Sequence, residues 1–184
     1  MIIRTALASD IDGILNLQTQ NLLTNLSEAE RSQGFVTTPF TQTQIQVLLA
    51  QGGVFVAVEE ESILGYAFAG SWDYFSQWPI FPYMVSRFPQ IQFQGVAIDT
   101  ENTFQYGPVC IDRTLRGTGI LPKLFETMRI SFTARYRVGV TFINQRNARS
   151  LAAHTRKLNL EIIDEFEFKG NSFYGLAFST QRIN

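Results

Sequence analysis

A short apolar strand, a glycine-containing turn and an amphipathic helix follow one another between residues 109 and 132, and this succession restricts the fold most. Residues 109–112 are Val-Cys-Ile-Asp, and Gly117 and Gly119 lie in the turn that follows. Pro122 is tolerated only in the first turn of a helix, so the helix is predicted to begin near Gly119. A strand that passes directly into a helix indicates an α/β domain. The apolar positions of this helix recur at helical spacing and are Ile120, Leu121, Leu124, Phe125, Met128 and Phe132.

Seven segments of the chain have the composition of strands. Two pairs of them flank short polar turns and predict antiparallel hairpins. The predicted order is β-α-α-β-β-insert-β-α-β-α-β-β, a mixed α/β fold in one domain spanning residues 1–184. The predicted strands are residues 2–7, 54–58, 63–69, 103–112, 138–143, 160–168 and 172–179.

Helix starts and one aromatic insert complete the predicted organisation. Capping boxes begin at two of the predicted starts. Residues 34–40 should be extended, because Pro39 disfavours helix at the residue before it. Residues 71–93 contain eight aromatic residues and three prolines, so long regular elements are not expected there. The predicted N-caps are Ser9-Asp10, Ser27, Thr41 and Asn147, the last opening a helix to about residue 158.

The charge of the chain is divided by sequence position. The formal net charge is −1, and only 17% of the residues are charged. Residues 113–157 hold ten Lys or Arg and one acid, a charge of +9. Residues 1–112 carry −8 and residues 158–184 carry −2. A polarity of this kind indicates an anionic ligand for the basic segment.

Several classes of protein and site are disfavoured by what the sequence lacks. No apolar run approaches the ~18 residues of a membrane span, and the N-terminus has no signal-peptide pattern. Cys110 and His154 are the only cysteine and histidine, which excludes an internal disulfide and a Cys- or His-based metal cluster. We therefore expect a cytoplasmic protein without a metal.

The turn at residues 116–119 is suited to an anion. The first N–H groups of a helix have no intrahelical acceptor, and the helix dipole favours negative charge there. Glycines let the main chain approach a phosphate closely. The same residues also fit a tight strand-to-helix turn with surface arginines, and the pattern alone leaves both interpretations open. The fixed residues of a P-loop and of a dinucleotide-binding fingerprint are not present.

Two stretches resemble the motifs of the GNAT superfamily of N-acetyltransferases. Residues 109–120 are similar to its acyl-CoA-binding signature, an apolar strand followed by Arg/Gln-x-x-Gly-x-Gly/Ala, in which Arg116 and Gly119 match and Leu121 replaces the final small residue. Residues 144–158 are similar to the family's Asn-x-x-Ala/Ser-x-x-x-Tyr stretch before Lys-Leu-Gly-Phe. The resemblance covers nearly the whole chain. It implies a mostly antiparallel central sheet of about seven strands, flanked by about four helices and splayed between strands four and five.

The resemblance also implies acetyl-CoA as co-substrate, bound by a core of about residues 104–158. The backbone N–H groups of Cys110 and Asp112 would bind the acetyl carbonyl and the pantetheine arm, and the amides of residues 116–121 would surround the pyrophosphate. Asn147 would face the pantetheine, or act only as a helix N-cap. The implied cofactor-binding residues are Cys110, Ile111, Asp112, Arg116, Gly117, Thr118, Gly119, Ile120, Leu121, Asn144 and Asn147.

Two departures from the family pattern affect the expected chemistry. Leu121 carries a side chain where the family has none, which should weaken phosphate binding. His154 occupies the position of the tyrosine that protonates the leaving thiolate in many relatives. A histidine with an ordinary pKa near 6.5 is mostly unprotonated at neutral pH. His154 is therefore a candidate general acid, with two alternatives: a hydrogen-bonding ligand to CoA or a partly exposed helical histidine.

Residues on the acceptor side are less well defined. Cys110 is expected to be a small apolar strand residue rather than a nucleophile, because no base lies beside it in sequence. The aromatic residues 71–93 could line an acceptor pocket, form a dimer contact or pack in the core. The acidic first segment favours a cationic amine, such as a polyamine, an aminoglycoside-like compound or a protein N-terminus. Candidate carboxylates for removing the amine's proton are Asp73, Asp99, Glu101 and Asp112.

Three hypotheses of different classes follow. The leading one is an N-acyltransferase that moves an acetyl group from acetyl-CoA to a primary amine by direct attack on the thioester. The second is a non-catalytic acyl-CoA-binding or regulatory domain. The third, a nucleic-acid-binding module using residues 113–157, ranks low, because basic residues spread over two helices and a strand need not share one face. A homodimer is possible, and no membrane partner is expected.

Overall fold

The computed structural model describes residues 1–31 and 35–181, which form two compact units. The first unit comprises Met1–Ala69 and Gly107–Met128. The second comprises Gly70–Tyr106 and Arg129–Asn184. The single domain expected from the sequence stays a prediction.

The described residues up to Gly70 form three antiparallel strands and three α-helices. Strand β1 pairs with β2, and β2 pairs with β3 across the predicted hairpin. All five residues 54–58 are buried, as expected for a strand covered on both faces. The elements are β1 (Ile2–Thr5), α1 (Ile11–Asn21), α2 (Glu28–Arg31), α3 (Gln42–Ala50), β2 (Val54–Glu59) and β3 (Ser62–Gly70).

Local hydrogen bonds explain where these helices begin. Thr41 Oγ1 accepts from the Gln44 N–H at 3.3 Å, and the Gln44 side chain accepts from the Thr41 N–H at 2.8 Å, so the predicted capping box is confirmed. The box at Ser27 is also formed, with Glu30 as its partner. The predicted N-cap at Asp10 is wrong in its chemistry. Its carboxylate makes no cap bond to α1 and instead binds the Arg4 guanidinium and the backbone N–H of residue 7.

The second unit contains the aromatic insert, one helix and the C-terminal strands. Strand β7 pairs antiparallel with β9, and β9 with β8, in the predicted closing hairpin. The elements of the insert are α4 (Trp72–Phe75), α5 (Ile80–Arg87), β4 (Gln92–Phe93) and β5 (Val96–Ala97). The remaining elements are β7 (Val138–Asn144), α7 (Ala148–Ala152), β8 (Glu161–Phe168) and β9 (Asn171–Ser179).

Strand β6 (Thr103–Ile111) and helix α6 (Ile120–Phe132) each contribute residues to both units. The sheet has seven strands in the order β1-β2-β3-β6-β7-β9-β8. Strands β6 and β7 are parallel, and their pairing covers only Thr103–Gln105 and Val138–Val140. This short pairing agrees with the expectation that the fourth and fifth strands of the sheet meet only at their beginnings. The predicted mixed α/β fold with a mostly antiparallel seven-stranded sheet is confirmed.

The insert is more regular than its sequence predicts. Helix α5 runs for eight residues, because Pro82 lies in its first turn, where its missing N–H costs nothing. Core packing accounts for most of the aromatic side chains; those buried are Trp72, Tyr74, Phe75, Phe81, Phe88 and Phe93. The segment predicted to be extended, residues 34–40, has no helix over residues 35–40, and Gly34 lies outside the described residues.

Candidate functional site

The turn between β6 and α6 is built by its own short-range hydrogen bonds. Asp112 Oδ1 accepts from the Thr114 N–H at 2.9 Å and caps a single 3-10 turn, Arg113–Leu115. The Thr118 N–H then donates to the carbonyl of Leu115 at 3.3 Å. Helix α6 begins at residue 120, where the sequence predicts it. Hydrogen bonds within residues 112–118 therefore stabilise the conformation of the turn.

Two glycines give this turn its path. Gly117 has φ +91° and Gly119 has φ +92°, in the left-handed region that favours glycine. A Cβ placed on either glycine would meet no atom within 4 Å, so a ligand can approach the main chain there. The N–H groups of the first turn of the 13-residue α6 and the positive end of its dipole lie directly after them. The local geometry is that of an anion site.

Two arginines of the turn are used to hold it against α1. Arg116 donates from Nε to the Ile111 carbonyl at 3.1 Å and from Nη2 to Asn21 Oδ1 at 2.7 Å. Arg113 forms an ion pair with Glu30 and donates from Nη2 to the Gln20 carbonyl at 2.9 Å. Both guanidinium groups therefore have partners within the first unit, so the groups of the turn that remain open to an anion are main-chain N–H groups.

The end of β6 changes one predicted role. The Asp112 N–H donates to the Leu64 carbonyl at 2.9 Å, so it is already used between strands and is not available to a pantetheine arm. Backbone groups alternate in direction along a strand, so the N–H of Ile111 points away from β3. This bond works against the predicted ligand contact of the Asp112 N–H, whereas the direction of the Ile111 N–H suits such a contact; both contacts stay predictions.

Cys110 has the surroundings of an inert core thiol. It is buried, with 3% of its surface exposed. Burial raises the pKa of this thiol to about 12, and the nearby Arg116 offsets only part of that effect. A thiol of this pKa is protonated at neutral pH and is a poor nucleophile. The interpretation of Cys110 as a small apolar strand residue agrees with this environment.

In the second unit, both asparagines of the downstream motif make local bonds. Asn147 Oδ1 accepts from the Ser150 N–H at 3.1 Å, which confirms the predicted N-cap of α7. Asn144 Oδ1 accepts from the Arg146 N–H at 2.9 Å. Their contact with a pantetheine stays a prediction.

His154 lies in a five-residue π-helical segment, Ala153–Lys157, that continues α7. It is 7% exposed, so the alternative of a partly exposed histidine is wrong. Its Nδ1 lies 2.8 Å from the Ser150 carbonyl oxygen. Because a carbonyl oxygen only accepts, Nδ1 carries the hydrogen, and Nε2 of the neutral ring is an acceptor. Burial lowers the pKa of His154, which favours this neutral form and works against the predicted role as general acid.

The four candidate carboxylates have different surroundings. Asp112 caps the turn after β6, as described above. Asp99 Oδ1 accepts the N–H groups of Glu101 and Asn102, each at 2.8 Å, and so holds a tight turn. The side chains of Asp73 and Glu101 line one cavity of the second unit. Both residues are exposed.

Several residues that matter at these places are not identified by the sequence. Asn21, Gln20 and Glu30 hold the arginines of the turn from positions 83 to 95 residues away. Ser150 fixes the tautomer of His154 through its backbone carbonyl, which any residue type supplies. No sequence pattern marks such partners, because they depend on contacts between distant parts of the chain.

The structure therefore brings the predicted residues together in two groups. The strand end and the turn, from Cys110 to Leu121, form one group in the first unit. Asn144, Asn147 and His154 form the other in the second unit. Within residues 1–31 and 35–181, no group of three or more His, Cys, Asp or Glu side chains is arranged to hold a metal ion. In the same part of the chain, no helix has the length and apolarity to cross a membrane.

Many solved structures resemble this one over nearly their whole length. An N-acetyltransferase from Staphylococcus aureus Mu50 matches with a TM-score of 0.65 at 20% identity, covering 98% of each chain. A putative acetyltransferase from Salmonella typhimurium, solved with its cofactor acetyl-CoA, has a TM-score of 0.63 at 17% identity and covers 100% of this chain and 96% of its own. A GNAT superfamily phosphinothricin acetyltransferase from Sinorhizobium meliloti, in complex with acetyl-CoA, has a TM-score of 0.65 at 17% identity, with 97% and 87% covered.

Comparison at the level of sequence gives no further relative: no family model matches the chain, and no curated protein matches it. At the identities of the solved structures, the similarity establishes the fold. That fold is the one of the GNAT N-acetyltransferases.

Proposed function

We propose that this chain, with its GNAT fold, is an N-acyltransferase that transfers an acetyl group from acetyl-CoA to a primary amine. The observation that carries the proposal is the turn at residues 116–121. Its backbone is open at Gly117 and Gly119, it leads into the N-terminus of α6, and its arginines are already anchored. Main-chain N–H groups in this arrangement suit the pyrophosphate of CoA. Acetyl-CoA complexes of two proteins with the same fold support this choice of ligand.

In the proposed reaction, the amine nitrogen attacks the thioester carbonyl carbon and forms a C–N bond. The C–S bond breaks, the amine loses one proton and the CoA thiolate leaves. The Ile111 N–H takes the role of donor to the acyl or pantetheine portion, because that of Asp112 is bound to Leu64. An N–H aimed at the developing oxyanion lowers the barrier for attack.

The experiment is to incubate the protein with acetyl-CoA and a panel of polyamines, aminoglycosides and peptide N-termini while following release of free thiol. The expected result is amine-dependent release that saturates with acetyl-CoA. A Gly119→Val variant, which places a β-branched residue at a positive φ, should bind acetyl-CoA at least tenfold more weakly by calorimetry. Absence of acetyl-CoA binding by the unaltered protein would sink the proposal.

A second candidate function is acyl-CoA binding without turnover. The buried, neutral state of His154 favours it, since the ring has no hydrogen on Nε2 to give to a thiolate. This candidate predicts acetyl-CoA binding with no thiol release for any amine, and binding that does not change in His154→Gln. Amine-dependent thiol release would decide against it.

A further inference from the structure

The second unit contains a cavity of about 740 Å³ that no contact described above explains. Its volume lies within the range of small-molecule sites. The walls come from the start of the aromatic insert, the turn before β6 and the segment after α6. The residues that line it are Ser71, Trp72, Asp73, Ser76, Pro82, Val85, Thr100, Glu101, Arg135 and Tyr136.

One wall of this cavity is held by a chain of hydrogen bonds. Trp72 donates from Nε1 to Thr103 Oγ1 at 2.9 Å, and the Thr103 hydroxyl donates to the Asp99 carbonyl. The Asp99 carboxylate in turn accepts the Glu101 N–H at 2.8 Å. These bonds fix the indole and the turn that carries Glu101 relative to each other. The wall is therefore formed before any ligand arrives.

The positively charged residue of the cavity, Arg135, is positioned by a backbone hydrogen bond and an aromatic contact. The Arg135 N–H donates to the Phe132 carbonyl at 3.0 Å, and the Arg135 guanidinium carbon lies 4.4 Å from the centre of the Phe132 ring. The Tyr136 ring packs against Phe104, with ring centres 5.4 Å apart. Stacking on an aromatic ring restricts the position of a guanidinium group. The N–H groups at its edge can still donate to a ligand.

The three charged side chains of the cavity are not paired with one another. Among the described residues, the ion pairs within 4.0 Å involve none of Asp73, Glu101 and Arg135. Asp73, Glu101 and Arg135 thus line one space whose accessible apolar surface comes from Pro82 and Val85. A ligand that satisfies all three charges carries a cationic amine and an anionic group on an apolar body.

We propose that this cavity binds a zwitterionic amine of the size of an apolar amino acid. Asp73 and Glu101 bind its ammonium group, Arg135 binds its carboxylate through two parallel N–H bonds, and Val85 and Pro82 contact its apolar side chain. The inference concerns a binding site within the second unit alone. It does not rest on the proposed transferase activity.

The test is calorimetric titration of the protein, without acetyl-CoA, with three compounds that share one apolar body. L-Phenylalanine has both charged groups, phenethylamine has only the amine and 3-phenylpropionate has only the carboxylate. We expect phenylalanine to bind at least tenfold more tightly than either of the others. Binding should also change the fluorescence of the protein, since Trp72 lines the site.

Variants of the protein test separately how the carboxylate and the ammonium group of the ligand are bound. Arg135→Gln should weaken phenylalanine at least tenfold and leave phenethylamine unchanged, whereas Glu101→Gln should weaken both amines. Arg137→Gln is the matched control, because this exposed arginine does not line the cavity. Circular dichroism and thermal melting check that each variant is folded. The proposal is overturned if none of the three compounds binds saturably, if phenethylamine binds as well as phenylalanine, or if Arg135→Gln and Arg137→Gln behave alike.

Discussion

The guanidinium group of Arg116 joins three parts of the first unit. Its Nε bonds the carbonyl of Ile111 at the end of β6, and its Nη2 bonds Asn21 at the end of α1. Asn21 is itself 2% exposed and also bonds the Leu17 carbonyl at 2.8 Å. Removing the guanidinium would leave the buried oxygen of Asn21 without this donor, and such losses are costly.

Arg116→Ala is expected to lower the free energy of unfolding by about 1.5–3 kcal/mol, the range for hydrogen bonds to charged groups. Urea titration measures it, with Arg146→Ala as the control, since Arg146 is exposed and only its backbone N–H is bonded. Equal stability of the two variants would show that the anchoring bonds contribute nothing.

His154 gives a pH dependence whose sign follows from its burial. Because burial lowers its pKa, the unfolded chain binds more protons than the folded protein between the two pKa values. Its contribution to stability is complete above the ordinary value of about 6.5 and decreases as the pH falls toward the folded value. NMR titration is unambiguous because the chain has one histidine. We expect a midpoint below 6.5; a midpoint at or above 6.5 would contradict the buried neutral ring.

At the scale of elements, the junction of β6 and α6 depends on its glycines rather than on packing. Gly119 has a positive φ with open space around its Cα, so an added methyl group meets no atom and acts only through backbone strain. Strain of this kind costs about 1–2 kcal/mol for an L-residue. Gly170, with φ +74° and equally open surroundings, lies in the hairpin of β8 and β9 and offers a matched comparison.

Gly119→Ala and Gly170→Ala should therefore lose similar stability, about 1–2 kcal/mol in urea unfolding. Only Gly119→Ala should weaken acetyl-CoA, because the same strain shifts the N–H groups at the start of α6. Calorimetry with acetyl-CoA distinguishes the two variants. Equal affinity of the two variants for acetyl-CoA would contradict the assignment of this turn to the cofactor site.

At the scale of the whole molecule, part of the basic charge at residues 113–157 is used in contacts within each unit. Arg113 and Arg116 are bound within the first unit, and Arg129 is buried, with a hydrogen bond to the Thr180 carbonyl. Arg135 also stacks on the Phe132 ring, so at least four of the ten basic residues have structural partners. This reduces the charge available to nucleic acid and agrees with phosphate recognition by main-chain groups.

Acetyl-CoA at a hundred times its dissociation constant should raise the free energy of unfolding by about 2.7 kcal/mol, because it binds only the folded protein. Urea unfolding with and without acetyl-CoA measures the shift, and dephospho-CoA serves as a second ligand that retains the pyrophosphate. A protein whose unfolding midpoint does not move with either ligand would contradict the proposed cofactor.

Local sequence patterns were sufficient to predict seven strands and their succession along the chain, the hairpins, the capping boxes at Ser27 and Thr41 and the turn at residues 116–119. These features are local: an Asp that caps the next residues, a glycine at a positive φ and an apolar period all act within a few residues. Helix α5 is an exception. The prolines and aromatic residues of its sequence do not predict a helix, and the burial of Phe81 and Met84 in the core stabilises it.

The roles of the charged and titratable side chains depend on tertiary contacts. The tertiary structure paired Arg116 with Asn21, used the Asp112 N–H in the sheet, and buried the His154 ring. It also placed Asp73, Glu101 and Arg135 around one cavity. The physical reason is that these outcomes depend on which distant parts of the chain pack against a residue: Asn21 lies 95 residues from Arg116. The composition of the chain and the spacing of its residues do not predict which distant residues become hydrogen-bond partners in the folded protein.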